Sequence, residues 1–182
     1  MYKLAAAFVL AAGSVQAAGL EIDVTGEANG TITIDLFETV APLHVQQITT
    51  LAANGRYDGV VFHRVIDGFM AQTGDVQFGR VDADRSRVGT GGSELPDIPA
   101  EFSDELSFER GVVGMARSQN PNSANSQFFI MFEPGPFLDG QYTIVGEVTD
   151  GMDVVDQIKR GDGPNGSVTG EPDVMTKVVV TE

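Results

Sequence analysis

The chain contains no cysteine. That absence excludes disulfides, thiolate metal sites, a cysteine nucleophile and a lipid anchor on a thiol. Basic residues are scarce, with 11 Lys plus Arg against 26 Asp plus Glu and a formal charge of −15. No basic patch is available to neutralise phosphates, which excludes nucleic acid as a partner. Histidine occurs twice, at His44 and His63. There is no HExxH, no GxSxG, no P-loop with its lysine and no EF-hand spacing. The GxGG at Gly89–Gly92 lacks the strand-to-helix context of a dinucleotide site and reads as a turn. What is present is 182 residues, 42% of them apolar, with 22 glycines. This suits one turn-rich globular domain with a real core. Charge says little about fold, so the acidity reads as a solvated surface suited to salty surroundings.

Residues 1–17 (MYKLAAAFVLAAGSVQA) have the layout of a secretory signal peptide. Lys3 marks the n-region, Leu4–Ala12 the apolar h-region, and Val15-Gln16-Ala17 offers small residues for cleavage. Nine apolar residues are too few for a membrane span, which needs about 17–25. Cleavage is expected after Ala17, with Ala18 the second choice. The remaining domain is 18–182, and losing Lys3 takes its charge from −15 to −16.

Period-2 runs at 20–25 and 31–37, split by Gly26–Gly30, predict a hairpin. Pro42–Asn54, with Pro at the start and Gly55 just past the end, predicts a helix. Further strands are expected at 60–66, 69–74, 111–117, 127–133, 143–149 and 174–180, and a second helix at 152–160. Residues 79–99 form a long polar loop. Eight strands and two helices favour an antiparallel barrel or sandwich.

From the residues alone, His44 reads as a surface residue early in its helix, and His63 as a satisfied structural histidine. Period 2 puts Arg64 on one strand face with Phe62 and Ile66. A charged side chain there is costly unless paired, and the plain reading is a barrel-rim arginine bound to one of the many acids. Gln127 and Phe129 likewise share a face.

The runs FHRVIDGFMAQTGD (62–75), GTGG (89–92), GVVGMAR (111–117), NSQFFI (125–130) and FLDGQYTIVGEV (137–148) resemble the cyclophilin family of peptidyl-prolyl isomerases. The likeness runs in order from about Gly30 to Val180. It implies a mainly β fold, a closed eight-stranded antiparallel barrel capped by two helices. It implies a catalytic set of Arg64, Phe69 and Gln72. Substrate would bind at Met70, Ala116, Arg117, Gln127, Phe129, Phe137, Leu138 and Tyr142. No metal or cofactor is implied, because the reaction only twists an amide. The implied partners are proline-containing peptides and exported proteins that are unfolded or folding, met by a monomer with no membrane contact after cleavage.

Three positions depart from the family's best-known pattern. Phe137 stands where many members have Trp, Tyr142 where many have His, and Arg117 where many have Asn. The first two resemble bacterial secreted members, which together with the leader points to the periplasm. A missing indole N–H at 137 implies weak cyclosporin binding, and Arg117 an altered substrate preference. Two other classes are a peptide-binding chaperone module with incidental isomerisation and a hydrolase. The intact Arg64, Phe69, Gln72 and Phe129 argue against the first, the missing nucleophile motifs against the second.

Overall fold

The structure is a computed structural model and describes residues 18–182. The leader expected over residues 1–17 lies outside the described residues.

The chain order is β1 (Gly19–Thr25), β2 (Gly30–Leu36), α1 (Pro42–Ala53), β3 (Val60–Val61), β4 (Arg64–Ile66), β5 (Met70–Thr73), β6 (Val112–Met115), β7 (Phe128–Met131), β8 (Ile144–Asp150), α2 (Met152–Gln157) and β9 (Val174–Thr181). Short 3₁₀ turns occur at 85–87, 136–138 and 164–166. All nine described strands form one antiparallel sheet, ordered β3-β9-β1-β2-β8-β6-β7-β5-β4. Its end strands β3 and β4 are consecutive in the chain and joined only by Phe62-His63. The Phe62 N–H donates to the Asp173 carbonyl at 2.9 Å on one side, and the His63 N–H to the Gln72 carbonyl at 3.1 Å on the other. The sheet therefore curls round until this stretch brings its ends together.

The single strand expected at 60–66 is thus two pieces, which corrects the face assigned to Arg64. Phe62 and Val65 both lie in the interior core, three residues apart rather than two or four. The irregularity at His63 reverses the alternation, so Arg64 and Ile66 turn outward, away from the Phe62 side. A second apolar cluster covers that outer face: Met70, Phe108, Val112, Phe129, Met131, Leu138 and Ile144. This is why 128–131 reads FFIM without alternation. Phe128 and Ile130 enter the interior, while Phe129 and Met131 join the outer cluster.

Helix α1 packs Val45, Ile48, Leu51 and Ala52 against the interior core. It ends in a Schellman arrangement at Gly55, whose φ of +65° suits glycine. There the Arg56 N–H reaches the Leu51 carbonyl and the Gly55 N–H the Ala52 carbonyl, both at 2.9 Å. Its start lacks a capping side chain. Instead the Glu101 carboxylate accepts the backbone N–H groups of Leu43 and His44, each at 3.1 Å. His44 is therefore not the surface residue expected from its position. It is fully buried, with Nδ1 2.6 Å from Glu101 Oε2. Burial lowers its pKa below the ordinary value, although Glu101 pulls the other way.

Candidate active site

Strand register builds the site. Arg64 on β4 stands opposite Gln72 on β5, Gln72 opposite Phe129 on β7, and Phe129 opposite Gly114 on β6. These four residues form one row across four strands of the outer face. Met70, two residues before Gln72, lies in the next row, opposite both Ile66 and Met131. A Cβ at Gly114 would sit 2.5 Å from Phe108 Cε1 and from Phe129 Cζ. Glycine there lets the Phe129 ring lie across β6, stacked on Phe108 at 5.7 Å.

Hydrogen bonds link the row to the loop beside it. The Arg64 Nη1–H donates to Gln72 Oε1 at 3.1 Å, Gln72 Nε2 to Gln127 Oε1 at 2.9 Å, and Gln127 Nε2 to the Gly91 carbonyl at 2.8 Å. The Arg64 Nε–H is held by the Asn165 carbonyl at 2.9 Å, and Met70 Sδ lies 3.8 Å from Nη1. No carboxylate pairs with Arg64 among the described residues, so the rim ion pair expected from the residues alone does not form. Burial pulls the guanidinium below its ordinary pKa, opposed by Tyr142. It remains a cation at any working pH. Its Nη2 hydrogens are left without a protein acceptor among the described residues.

Beside Arg64 lies a cavity of about 180 Å³. Phe69, Met70, Phe129 and Leu138 supply apolar walls, and Gln72, Ala116, Arg117 and Tyr142 complete it. Tyr142 meets Phe129 edge-on at 5.9 Å, and the Arg117 guanidinium lies 4.4 Å over the Tyr142 ring. Nine of the eleven residues expected at the site line this one cavity. Gln127 instead lines an adjoining polar cavity of about 260 Å³, which shares Gln72, Ala116 and Arg117 with the first. Phe137 lies outside both linings. It is 64% exposed, with its ring against Phe69 at 5.6 Å.

Three features escaped the sequence reading. The Asn165 carbonyl that anchors Arg64 comes from a turn 101 positions away. Gly163-Pro164-Asn165-Gly166 is a legible turn signal, but its partner is not. The 79–99 loop does more than flank the groove. Gly89, Thr90 and Gly91 line the polar cavity, and Gly91 ends the amide relay. Asp75, fully buried, holds that loop by accepting the N–H groups of Gln77, Phe78, Gly89 and Gly91. His63, behind the site, is buried as expected but not satisfied. Neither ring nitrogen meets a partner in hydrogen-bonding geometry, although the Val61 backbone and Gln127 side chain are close. Burial pulls its pKa below the ordinary value, more strongly than the nearby Asp75 carboxylate raises it.

A family model described as cyclophilin type peptidyl-prolyl cis-trans isomerase/CLD matches residues 20–180. A probable peptidyl-prolyl cis-trans isomerase of Brucella suis is 55% identical over 183 residues, covering 97% of this chain and 93% of the relative. A peptidyl-prolyl cis-trans isomerase-like 1 protein of Emericella nidulans is 37% identical, covering 75% of this chain and 80% of its own. Among solved structures, a Cryptosporidium parvum cyclophilin superposes with a TM-score of 0.78 at 26% identity, covering 92% of this chain and 99% of that one. A cyclophilin from Hirschia baltica gives 0.71 at 28% identity, with 88% and 73% covered. The curled antiparallel sheet, the motif order and these likenesses agree, and the chain belongs to the cyclophilin-type peptidyl-prolyl cis-trans isomerase family.

Proposed function

We propose that Arg64 is the group through which this isomerase lowers the rotation barrier, acting on X–Pro bonds of exported proteins as they fold. The observation that carries the reading is a guanidinium with no carboxylate partner, fixed by Gln72 and Asn165, beside a cavity walled in part by Phe69, Met70, Phe129 and Leu138. Resonance gives the amide its barrier. At the twisted midpoint that resonance is lost, and the proline nitrogen becomes a hydrogen-bond acceptor. The free Nη2 hydrogens of Arg64 would meet it there, while the ring sits between Phe69, Met70, Phe129 and Leu138.

The required effect is modest. Uncatalysed rotation takes tens to hundreds of seconds, and reaching ~10² s⁻¹ from ~10⁻² s⁻¹ needs ~5.5 kcal/mol of transition-state stabilisation. One well-placed donor in a dry site contributes about 3–4 kcal/mol. Water exclusion by the apolar walls strengthens that interaction. Phe69 and Gln72 act alongside Arg64, the first as a cavity wall and the second as its positioning residue. Met70, Ala116, Arg117, Gln127, Phe129, Leu138 and Tyr142 hold the peptide, and Phe137 extends the rim.

Export rests on the leader layout of residues 1–17. With Phe137 and Tyr142 it supports a periplasmic enzyme whose clients are proteins folding after translocation. The test is a prolyl-peptide isomerisation assay on 18–182 and its Arg64→Ala variant. A fall in kcat/KM of ~10²-fold or more with the fold intact is expected. Arg64→Lys should rescue only in part, because lysine lacks the planar fork. Undiminished activity in Arg64→Ala would sink the mechanism. Loss of export on deleting residues 2–17 checks the location.

A further inference from the structure

The two adjoining cavities invert the charge of the molecule. The sequence holds 26 acidic residues, yet none lines either cavity. The only charged side chains there are Arg64 and Arg117. Setting aside Lys3, ten of the eleven basic residues are described. Six of them, Arg56, Arg80, Arg110, Lys159, Arg160 and Lys177, are ion-paired with carboxylates. Among the described residues, the four without a carboxylate partner are Arg64, Arg85, Arg87 and Arg117. Arg64 and Arg117 line the groove, while the Arg87 guanidinium lies 4.2 Å over the Phe78 ring. Both charges at the groove of this acidic protein are therefore positive and unbalanced.

Arg117 is placed to use it. Its Nε and Nη2 donate to the Gln141 carbonyl at 3.0 and 2.8 Å, and Nη1 to the Ser118 carbonyl at 2.9 Å. The Tyr142 ring backs the guanidinium. Three of its five N–H donors are thus engaged by neutral acceptors, which fix the group without cancelling its charge. One hydrogen on each terminal nitrogen remains. Arg117 lines both cavities, so these donors border the path of a chain whose proline sits against Phe69, Met70, Phe129 and Leu138 in one and whose neighbouring side chain enters the other.

We infer that Arg117 makes this enzyme prefer substrates carrying a carboxylate side chain within a few residues of the proline, seated in the polar cavity. The inference rests on the isomerase reading and deepens it. Distant surface acids repel such a peptide only weakly at about 0.15 M salt, where the Debye length is about 8 Å. A charge-assisted contact with a half-buried guanidinium persists there.

The test uses end-blocked proline peptides that differ at one position, three before to two after proline, carrying Glu, Gln or Lys. At one of these positions kcat/KM should rank Glu above Gln above Lys, with Glu exceeding Gln by about 5- to 10-fold and the difference lying in KM. Arg117→Glu should reverse that ranking, and Arg117→Lys should keep it at reduced size. Equal kcat/KM for the three at every position, with the Gln peptides turned over, overturns the inference even if the variants fail to fold. A Glu preference that survives in Arg117→Glu overturns it as well. Failure to turn over any peptide would instead remove the isomerase reading beneath it.

Discussion

The side-chain oxygen of Gln72 accepts the Arg64 Nη1–H at 3.1 Å, directly across the β4–β5 ladder. A guanidinium only donates, and the Gly91 carbonyl at the far end only accepts. The amides of Gln72 and Gln127 between them can satisfy both ends in one orientation alone. The relay thus carries one hydrogen-bond direction from the loop at Gly91 to the group proposed to meet the substrate. It explains why two neutral amides stand where any acid would neutralise Arg64.

Replacing Gln72 by Leu should therefore lower kcat/KM by about 10- to 100-fold, because Arg64 keeps only its Asn165 tether and a small displacement at a reacting centre is costly. Gln72→Glu should do no better, since its carboxylate would hold the guanidinium but cancel its charge. A prolyl isomerase assay with circular dichroism as the folding control checks both. A folded Gln72→Leu with full activity would remove the relay from the mechanism.

Gly114→Ala tests the packing beneath the cavity. Its methyl would be forced against Phe108 and Phe129 at about 2.5 Å, closer than carbon atoms approach. Phe129 lines the cavity, so a shift of its ring away from β6 would intrude on it. The expected outcome is a raised KM for prolyl peptides and a loss of about 1–3 kcal/mol in denaturant unfolding. An unchanged KM would mean that the ring moves elsewhere.

The pH dependence of stability should report the two histidines. Burial lowers the folded-state pKa of both His44 and His63 below the ordinary 6.5. The unfolded chain therefore binds protons first, so stability is fully present above about pH 6.5 and declines as pH falls from there through the lowered folded values. Each histidine contributes a slope of at most about 1.4 kcal/mol per pH unit. His63→Gln should flatten the decline, measured as unfolding free energy from pH 7.5 to 5.5. A variant as acid-sensitive as the parent would refute the assignment to His63.

Much of this was legible in the sequence, and the exceptions share one physical cause. The β1 and β2 positions followed from alternation, their hairpin and α1 from turn glycines and Pro42, and β7 from its unbroken apolar run. The candidate site residues were named from long ordered motifs, and nine of them line one cavity, where register places Arg64, Met70, Gln72 and Phe129. What failed was whatever depended on a partner far along the chain. His44 looked exposed because nothing nearby in sequence announces Glu101, 57 positions on. Arg64 looked like a rim ion pair because its actual acceptors are Asn165 and a neutral amide. The break at Phe62-His63 was invisible because Val-rich stretches lie on both sides of it, and it turned Arg64 to the outer face. Nothing near Asp75 in sequence shows that it closes the 89–91 loop through the Gly89 and Gly91 N–H groups.

Phe137 offers a test of the rim. Its ring is 64% exposed and rests on Phe69, outside the cavity that would hold the proline. An indole at that place would keep the ring contact and add an outward N–H, the donor whose absence implies weak cyclosporin binding. One neutral hydrogen bond nets about 1 kcal/mol, or about 5-fold in affinity. Phe137→Trp should therefore lower the cyclosporin inhibition constant by about 5-fold while kcat/KM for small prolyl peptides changes little, because their proline reaches the cavity and not the rim. If the inhibition constant of Phe137→Trp equals that of the parent, a donor at 137 is not a contact of the inhibitor.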